Sequence, residues 1–340
     1  MLSSLSIGRR AAAASLLVTL AAGCSAAGPP STGSAPAAQP GAKRTVSDNR
    51  ILAAGHGTTS NASGSHAQGW FSPDRHHRVR TKIYWGNYDT STITIYSSSG
   101  AQKGQITSGL FNPERLFVDA SGSVYATNIG YNGSNKNSIT GYKAGQTTPF
   151  LTITNGVNRP TGLTVDAAGT VYCANVGNDT ITVYPKGQTS PSLTISVASS
   201  PEYLATDSKD NLYAQVGTEV EEFAPGSTTG KNLNLNVGSP GALEVDKSGN
   251  IIVLDDSSDT IDYIPAGQTN PSKKISVTGF PFGLALSKDN KTLYVSVETS
   301  AGPFVIADIA YPNGTSLSNK LTTNAGDWPV SVSPDNALGT

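Results

Sequence analysis

PTGLTVDAAGTVYCANVGNDTITVYPKGQTSPSLTI, from Pro160 to Ile195, is the stretch whose reading decides the fold. It holds four short apolar runs, each too brief for a helix, separated by the turn-forming groups Asp-Ala-Ala-Gly, Gly-Asn-Asp and Lys-Gly-Gln-Thr-Ser-Pro. The first run is anchored on Leu163, and the same anchor recurs at Leu116, Leu204, Leu243 and Leu284. Four of the first strands end in Asp, at Asp119, Asp166, Asp207 and Asp246, while Ser287 takes that place in the fifth. Second strands begin at Val124, Val171, Leu212, Ile251 and Leu293, with an earlier copy at Ile83. Third strands end on Tyr96, Tyr142, Tyr184, Phe223, Ile264 and Tyr311, and a fourth strand such as Leu-Thr-Ile follows each turn.

Six copies of a four-stranded unit predict an all-β, six-bladed β-propeller with antiparallel blades. A lone four-stranded sheet exposes both faces, whereas radial stacking of six hides them. The second strands are nearly continuous apolar runs and should be buried on both faces. The third strands alternate, as in Thr180-Ile181-Thr182-Val183-Tyr184, and should lie nearer the rim. Only five complete first strands precede the C-terminal region. The sixth is read from the end of the chain, because Val330-Ser331-Val332-Ser333-Pro334-Asp335-Asn336 aligns with Leu284-Ala285-Leu286-Ser287-Lys288-Asp289-Asn290. That strand should pair with Ile83-Tyr84-Trp85 and close the ring in the N-terminal blade, leaving no open sheet edge between the two ends. Gly69-Trp70-Phe71-Ser72-Pro73-Asp74 competes for the same role, since it too resembles the end of a first strand. With the C-terminal assignment, residues 66–80 form a strap and the blades start at residue 81.

Upstream of the ring the chain changes character. Arg9 and Arg10 precede an apolar run from Ala11 to Ala22, too short for a permanent bilayer span but suited to a signal-peptide core. The run closes on Leu20-Ala21-Ala22-Gly23-Cys24, which resembles the bacterial lipoprotein signal. That resemblance implies removal of residues 1–23 and lipidation of Cys24, with an ordinary secreted protein as the other reading. Residues 24–65 are rich in Ala, Gly, Ser, Pro and Thr and cannot bury enough surface to offset their ordering entropy, so they read as a disordered tether. With Cys24 lipidated, Cys173 has no partner for a disulfide. Residues 1–80 carry eight Lys and Arg against two acidic residues, and 81–340 carry 15 against 22. A mildly acidic body of this kind gives no sign of a nucleic-acid partner.

Little in the body points to catalysis. All four histidines, His56, His66, His76 and His77, precede the repeats, which leaves the ring without an imidazole base or ligand. Asp119, Asp166, Asp207 and Asp246 each open a four-residue turn and read as structural Asx bonds. Glu114 and Glu202 follow the Pro that opens a first strand and should sit at one mouth of the central channel. With Asn128 and Asn175 they are the candidate ligands for a divalent ion, although the turn each Asn occupies is the stronger explanation of its presence. Trp85, Tyr203 and Trp328 are candidate aromatic contacts for a sugar or a peptide.

The repeats resemble NHL-type and YVTN-type β-propeller units of bacteria, over the stretch from Ile83 to the C-terminus. The third strands depart from the NHL pattern, reading Asp-Thr-Ile, Asn-Ser-Ile or Ser-Thr-Ile where Arg is frequent. The resemblance implies architecture more than activity, because the fold carries binding scaffolds, lyases and lactonases alike. The expectation is a monomeric propeller of the bacterial cell envelope, held by lipid on Cys24, facing the periplasm or exterior. It would serve as a non-enzymatic scaffold for an envelope protein or glycan, with no cofactor. A metal-dependent hydrolase or lactonase of the regucalcin-like type, with calcium or another divalent ion at the channel mouth, is the alternative, and a purely structural envelope protein the third.

Overall fold

The computed structural model describes residues 82–130, 136–300, 304–322 and 329–334, and all their regular structure is β-strand. The signal segment with Cys24, the tether, the strap at 66–80 and Trp328 lie outside the described residues. The first blade contains β1 (Lys82–Asn87), β2 (Thr92–Ser97) and β3 (Gln102–Ile106). The second contains β4 (Pro113–Val118), β5 (Val124–Asn128), β6 (Ser138–Tyr142) and β7 (Leu151–Ile153). In the third are β8 (Pro160–Val165), β9 (Val171–Asn175), β10 (Thr180–Tyr184) and β11 (Leu193–Ser196). The fourth has β12 (Pro201–Thr206), β13 (Leu212–Val216), β14 (Glu219–Phe223) and a two-residue β15 (Lys231–Asn232). Blade five comprises β16 (Pro240–Val245), β17 (Ile251–Asp255), β18 (Thr260–Ile264) and β19 (Lys273–Ser276). Blade six comprises β20 (Phe280–Leu286), β21 (Thr292–Glu298), β22 (Phe304–Ala310) and β23 (Ser318–Thr322), and β24 (Pro329–Pro334) ends the series.

The last strand completes the first blade. That sheet has the order β24-β1-β2-β3, with Trp85 opposite Val332 and Gly86 opposite Ser331 in antiparallel register. The six innermost strands touch in the cyclic order β4, β8, β12, β16, β20, β24 and back to β4. Strand β24 therefore supplies the inner wall of the first blade and removes the unpaired edge that β1 would otherwise present.

Inner and third strands run away from the end marked by the opening prolines, and second and fourth strands return towards it. The turns joining first to second and third to fourth strands therefore share one face of the ring, the turn face. The connections between blades and between second and third strands share the other, the mouth face. On the turn face the aspartates do structural work. Asp119 Oδ1 accepts from the amides of Ser121 and Ser123 at 2.9 and 2.8 Å, and Asp246 Oδ1 from Ser248 and Asn250, both at 2.8 Å. Ser287 Oγ does the same for Lys291 and Thr292 in the sixth blade.

Apolar side chains from facing blades make the core. Between the second and third blades, Tyr125, Ile139 and Ile153 pack against Val165, Cys173 and Tyr184. Full burial of an aliphatic side chain of this size is worth about 1.5–3 kcal/mol. Cys173 is wholly buried, and burial pushes its thiol well above the usual range. Second strands are buried along their length, as in β5, β9, β13 and β17.

Two expectations about the third strands need correction. Strands β6 and β10 are buried throughout, and exposure alternates instead in the fourth strands β7 and β11. The polar half of Thr180-Ile181-Thr182-Val183-Tyr184 faces inwards, because Thr180 and Thr182 accept hydrogen bonds from the Asn175 amide. Tyr311 is not the counterpart of Tyr142: Ile309 pairs with Leu293 as Tyr142 pairs with Val124. Strands β21 and β22 are seven residues long, so Tyr311 falls beyond β22, where its hydroxyl donates to Asp246 Oδ2 at 2.7 Å.

Candidate functional site

Every inner strand carries a proline at its start: Pro113, Pro160, Pro201, Pro240 and Pro329 open theirs, and Pro281 is the second residue of β20. Proline fits there because an inner strand needs no amide donor on its channel side. The residues around these prolines build the mouth. Those before them are Asn112, Arg159, Ser200, Ser239 and Phe280, and those after them include Glu114, Thr161, Glu202, Gly241 and Phe282. Asn112 and Arg159 hold φ of 48° and 49°, in the left-handed region. Asn tolerates that conformation, but for Arg it costs about 1 kcal/mol, a local strain of the kind that gathers at functional surfaces. Phe280 is 62% exposed, more than any other large apolar residue described.

One level deeper, the channel is roofed. Arg115 of the second blade lays its guanidinium over the Tyr203 ring of the fourth, 4.3 Å from the centroid. The third blade contributes Gly162 at that level, where β8 and β12 approach so closely that a Cβ would stand 2.7 Å from the Glu202 carbonyl. Beside this pair a cavity of about 40 Å³ is lined by the inner strands of blades two to six. A water needs roughly 10–15 Å³ by this measure, so that cavity admits a few waters. Glu244 lines it. Burial pushes its carboxyl up to about 8, and a hydrogen bond from the Leu286 amide offsets part of that.

The mouth is acidic. Glu114, Glu202, Asp256 and Glu298 surround it, with Arg115 and Arg159 as the basic residues beside them. Glu114 Oε1 lies 3.9 Å from Arg115 Nη1. Asp256 packs against Gly241, whose Cβ would meet the carboxylate at 2.8 Å. Burial raises the pKa of Glu298.

The two asparagines proposed with Glu114 and Glu202 are fully buried and bonded within their blades. Asn128 accepts from the Phe111 amide at 2.9 Å and donates to Ser138 and Thr140. Asn175 accepts from the Asn158 amide at 2.9 Å and donates to Thr180 and Thr182. Each ties an inter-blade loop to the second strand, so neither has a free oxygen for an ion. The glutamates alone fall short of the six to eight oxygens calcium takes. Among the described residues no three of His, Cys, Asp and Glu gather as a metal site.

The fifth blade replaces this amide clasp with charges. Asp255 stands where Asn128 and Asn175 do, and Asp262 where Thr140 and Thr182 do. Lys274 fills the gap, its ammonium 2.6 Å from Asp262 and 3.8 Å from Asp255. Burial alone would raise the Asp255 pKa. Donors from Ser257 and Ser258 and the amides of Gly238 and Ser239 outweigh it and hold the carboxylate at about 2.

The aromatic candidates separate. Trp85 is 3% exposed in the seam between the first and sixth blades, beside Tyr96 and Phe282, so it is core. Tyr203 is the roof of the channel. Phe280, Arg115, Arg159 and Glu244 are mouth and channel residues that the sequence reading did not single out. A charged residue inside an apolar inner strand, as in Pro240-Gly241-Ala242-Leu243-Glu244-Val245, was the available signal for the last.

No family model matches the chain, and no curated protein is significantly similar to it. Solved structures with a similar fold include several that are distant in sequence. A nidogen/laminin complex contains a chain 18% identical, covering 76% of this chain and 99% of its own, with a TM-score of 0.61. A streptogramin B lyase is 13% identical over 74% of this chain and 83% of its own, at 0.55. A putative 6-phosphogluconolactonase of Bacteroides fragilis is 17% identical over 76% and 85%, at 0.52. At these identities the likeness shows the propeller fold.

Proposed function

We propose that the protein is a non-enzymatic binding propeller of the bacterial envelope, anchored by lipid on Cys24 and presenting its mouth face to a protein or glycan partner. The observation that carries this reading is the contrast between scaffold and mouth. The opening proline repeats in every blade, while the residues flanking it differ from blade to blade and place an exposed Phe280 among carboxylates. Positions that the fold requires are repeated. Those left free to vary are where a ring of identical blades acquires a specific surface.

The alternative of a metal-dependent hydrolase has behind it the structural likeness to putative lactonases, and the donor set at the mouth does not favour it.

The test is capture from an envelope extract with the wild-type chain and with a Phe280→Ser/Glu202→Lys variant. A partner held by the wild type and lost by the variant is expected. An identical set of captured molecules on both would place the binding surface elsewhere.

A further inference from the structure

The charges of the ring are sorted by face. Lys209, Lys247, Lys288 and Lys291 stand on turns between first and second strands. Lys143, Lys186, Lys231 and Lys273 stand on or just after turns between third and fourth strands. Lys103 follows the matching turn of the first blade, and Lys82 opens β1 at the same level. All ten therefore lie on the turn face, and seven of them are exposed. Among the described residues none of the ten forms an ion pair with a carboxylate.

The carboxylates on this face offset them only in part, and they protrude less. Asp119, Asp166, Asp207 and Asp246 turn into their own loops, where they accept from turn amides. Asp210 and Asp289 stand near the turn tips, and Glu222 and Asp308 at the level of Lys231 and Lys273, so ten lysines meet eight carboxylates there. On the mouth face the balance reverses, with Asp89, Glu114, Asp179, Glu202, Asp256 and Glu298 among its carboxylates against Arg115, Lys136 and Arg159. A body whose sum is acidic thus carries one basic face.

We propose that the turn face docks on an anionic bilayer surface, with the channel mouth directed away from it. Three features favour a bilayer over a compact ligand. The turns recur at one level in all six blades, so the lysines are spread over a broad face and do not converge on a pocket. Among the described residues every cation on it is Lys, a hydrated point charge suited to a diffuse layer of headgroups, and none is Arg, the residue of bidentate recognition. The chain also joins the ring on this face, at Lys82.

The third feature rests on the proposed anchoring. If Cys24 carries lipid and residues 24–65 act as the tether read from the sequence, a chain of that length reaches about 35 Å. That is several times the Debye length of roughly 8 Å at physiological salt. The anchor alone then leaves the ring free to present any face. Each lysine close to an anionic surface contributes about fivefold in binding, so the turn face prevails.

Among the described residues every strand and buried cluster lies within 82–334. A chain beginning at residue 25 retains the whole ring and has no lipid. Its sedimentation would be measured with vesicles of phosphatidylcholine alone and of equimolar phosphatidylcholine and phosphatidylglycerol. Binding to the anionic vesicles only, weakened by added salt, is expected. Lys209→Glu/Lys247→Glu/Lys288→Glu/Lys291→Glu should weaken it at least tenfold, and the corresponding Arg variant should retain it, with both melting like the wild type. Equal binding to both vesicles, full binding by the Glu variant, or binding to a soluble acidic polysaccharide without binding to vesicles would each overturn the proposal. Because this chain has no Cys24, the result is independent of lipidation, and partner capture at the mouth is read separately.

Discussion

The guanidinium of Arg115, on the second blade, lies 4.3 Å from the centre of the Tyr203 ring on the fourth. Between them the third blade brings only Gly162, and that economy of volume lets three inner strands converge. An alanine there would set its Cβ 2.7 Å from the Glu202 carbonyl and 2.9 Å from Ala174 Cβ. Backbone cannot yield as a flexible side chain does. Gly162→Ala should therefore cost about 1–3 kcal/mol, seen as a lower melting temperature. Arg115→Ala, which removes an edge contact at the mouth, should cost about 1 kcal/mol.

Asn175 is a clasp, with its oxygen on the Asn158 amide and its nitrogen on Thr182 at 3.0 Å. Asn175→Ala strands both partners in a buried site and should cost about 2 kcal/mol. Calcium or manganese should leave the melting temperature of the wild type unchanged. A rise that disappears in Glu202→Gln would instead assign an ion to the mouth, because a ligand specific to the folded state stabilises it.

Glu244 gives the channel a pH dependence. Its folded pKa of about 8 lies above the 4.5 of an ordinary glutamate. The folded chain therefore keeps a proton that the unfolded chain releases, and stability falls as pH rises from 4.5 through 8. Glu244→Gln should raise the melting temperature by roughly a few degrees at pH 8 and leave it unchanged at pH 4. An equal effect at both values would remove Glu244 from the titration.

Strand β24 holds the only sheet edge that joins the two ends of the described ring, through pairs such as Tyr84 with Ser333. Deleting residues 329–340 should expose the edge of β1 and produce aggregation or a broadened unfolding transition. A truncated chain that stays monomeric and melts cooperatively would show that β1 needs no partner on that side.

The architecture was readable because strand period and turn chemistry are local. Leu163, Asp166 and Tyr184 announce their places within one repeat, and closure followed from aligning Val330-Ser331-Val332 with Leu284-Ala285-Leu286. Asn128 and Asn175 were ambiguous because a turn and a ligand use the same amide, and only their buried threonine partners decide between them. The mouth was less legible. Arg115 and Tyr203 are 88 positions apart in sequence and meet through the curvature of the ring. The lysine face was hidden for a related reason. Net charge sums over both faces, whereas alternating strand direction sends the lysines to one and many of the carboxylates to the other.

The most direct test of the mouth as the binding surface is site-specific photocrosslinking in intact cells. A photoreactive phenylalanine analogue would replace Phe280 in one strain and Lys247 in another. The account predicts a discrete protein or glycan adduct from position 280 and only lipid adducts from position 247. A protein adduct from 247 with none from 280 would contradict it.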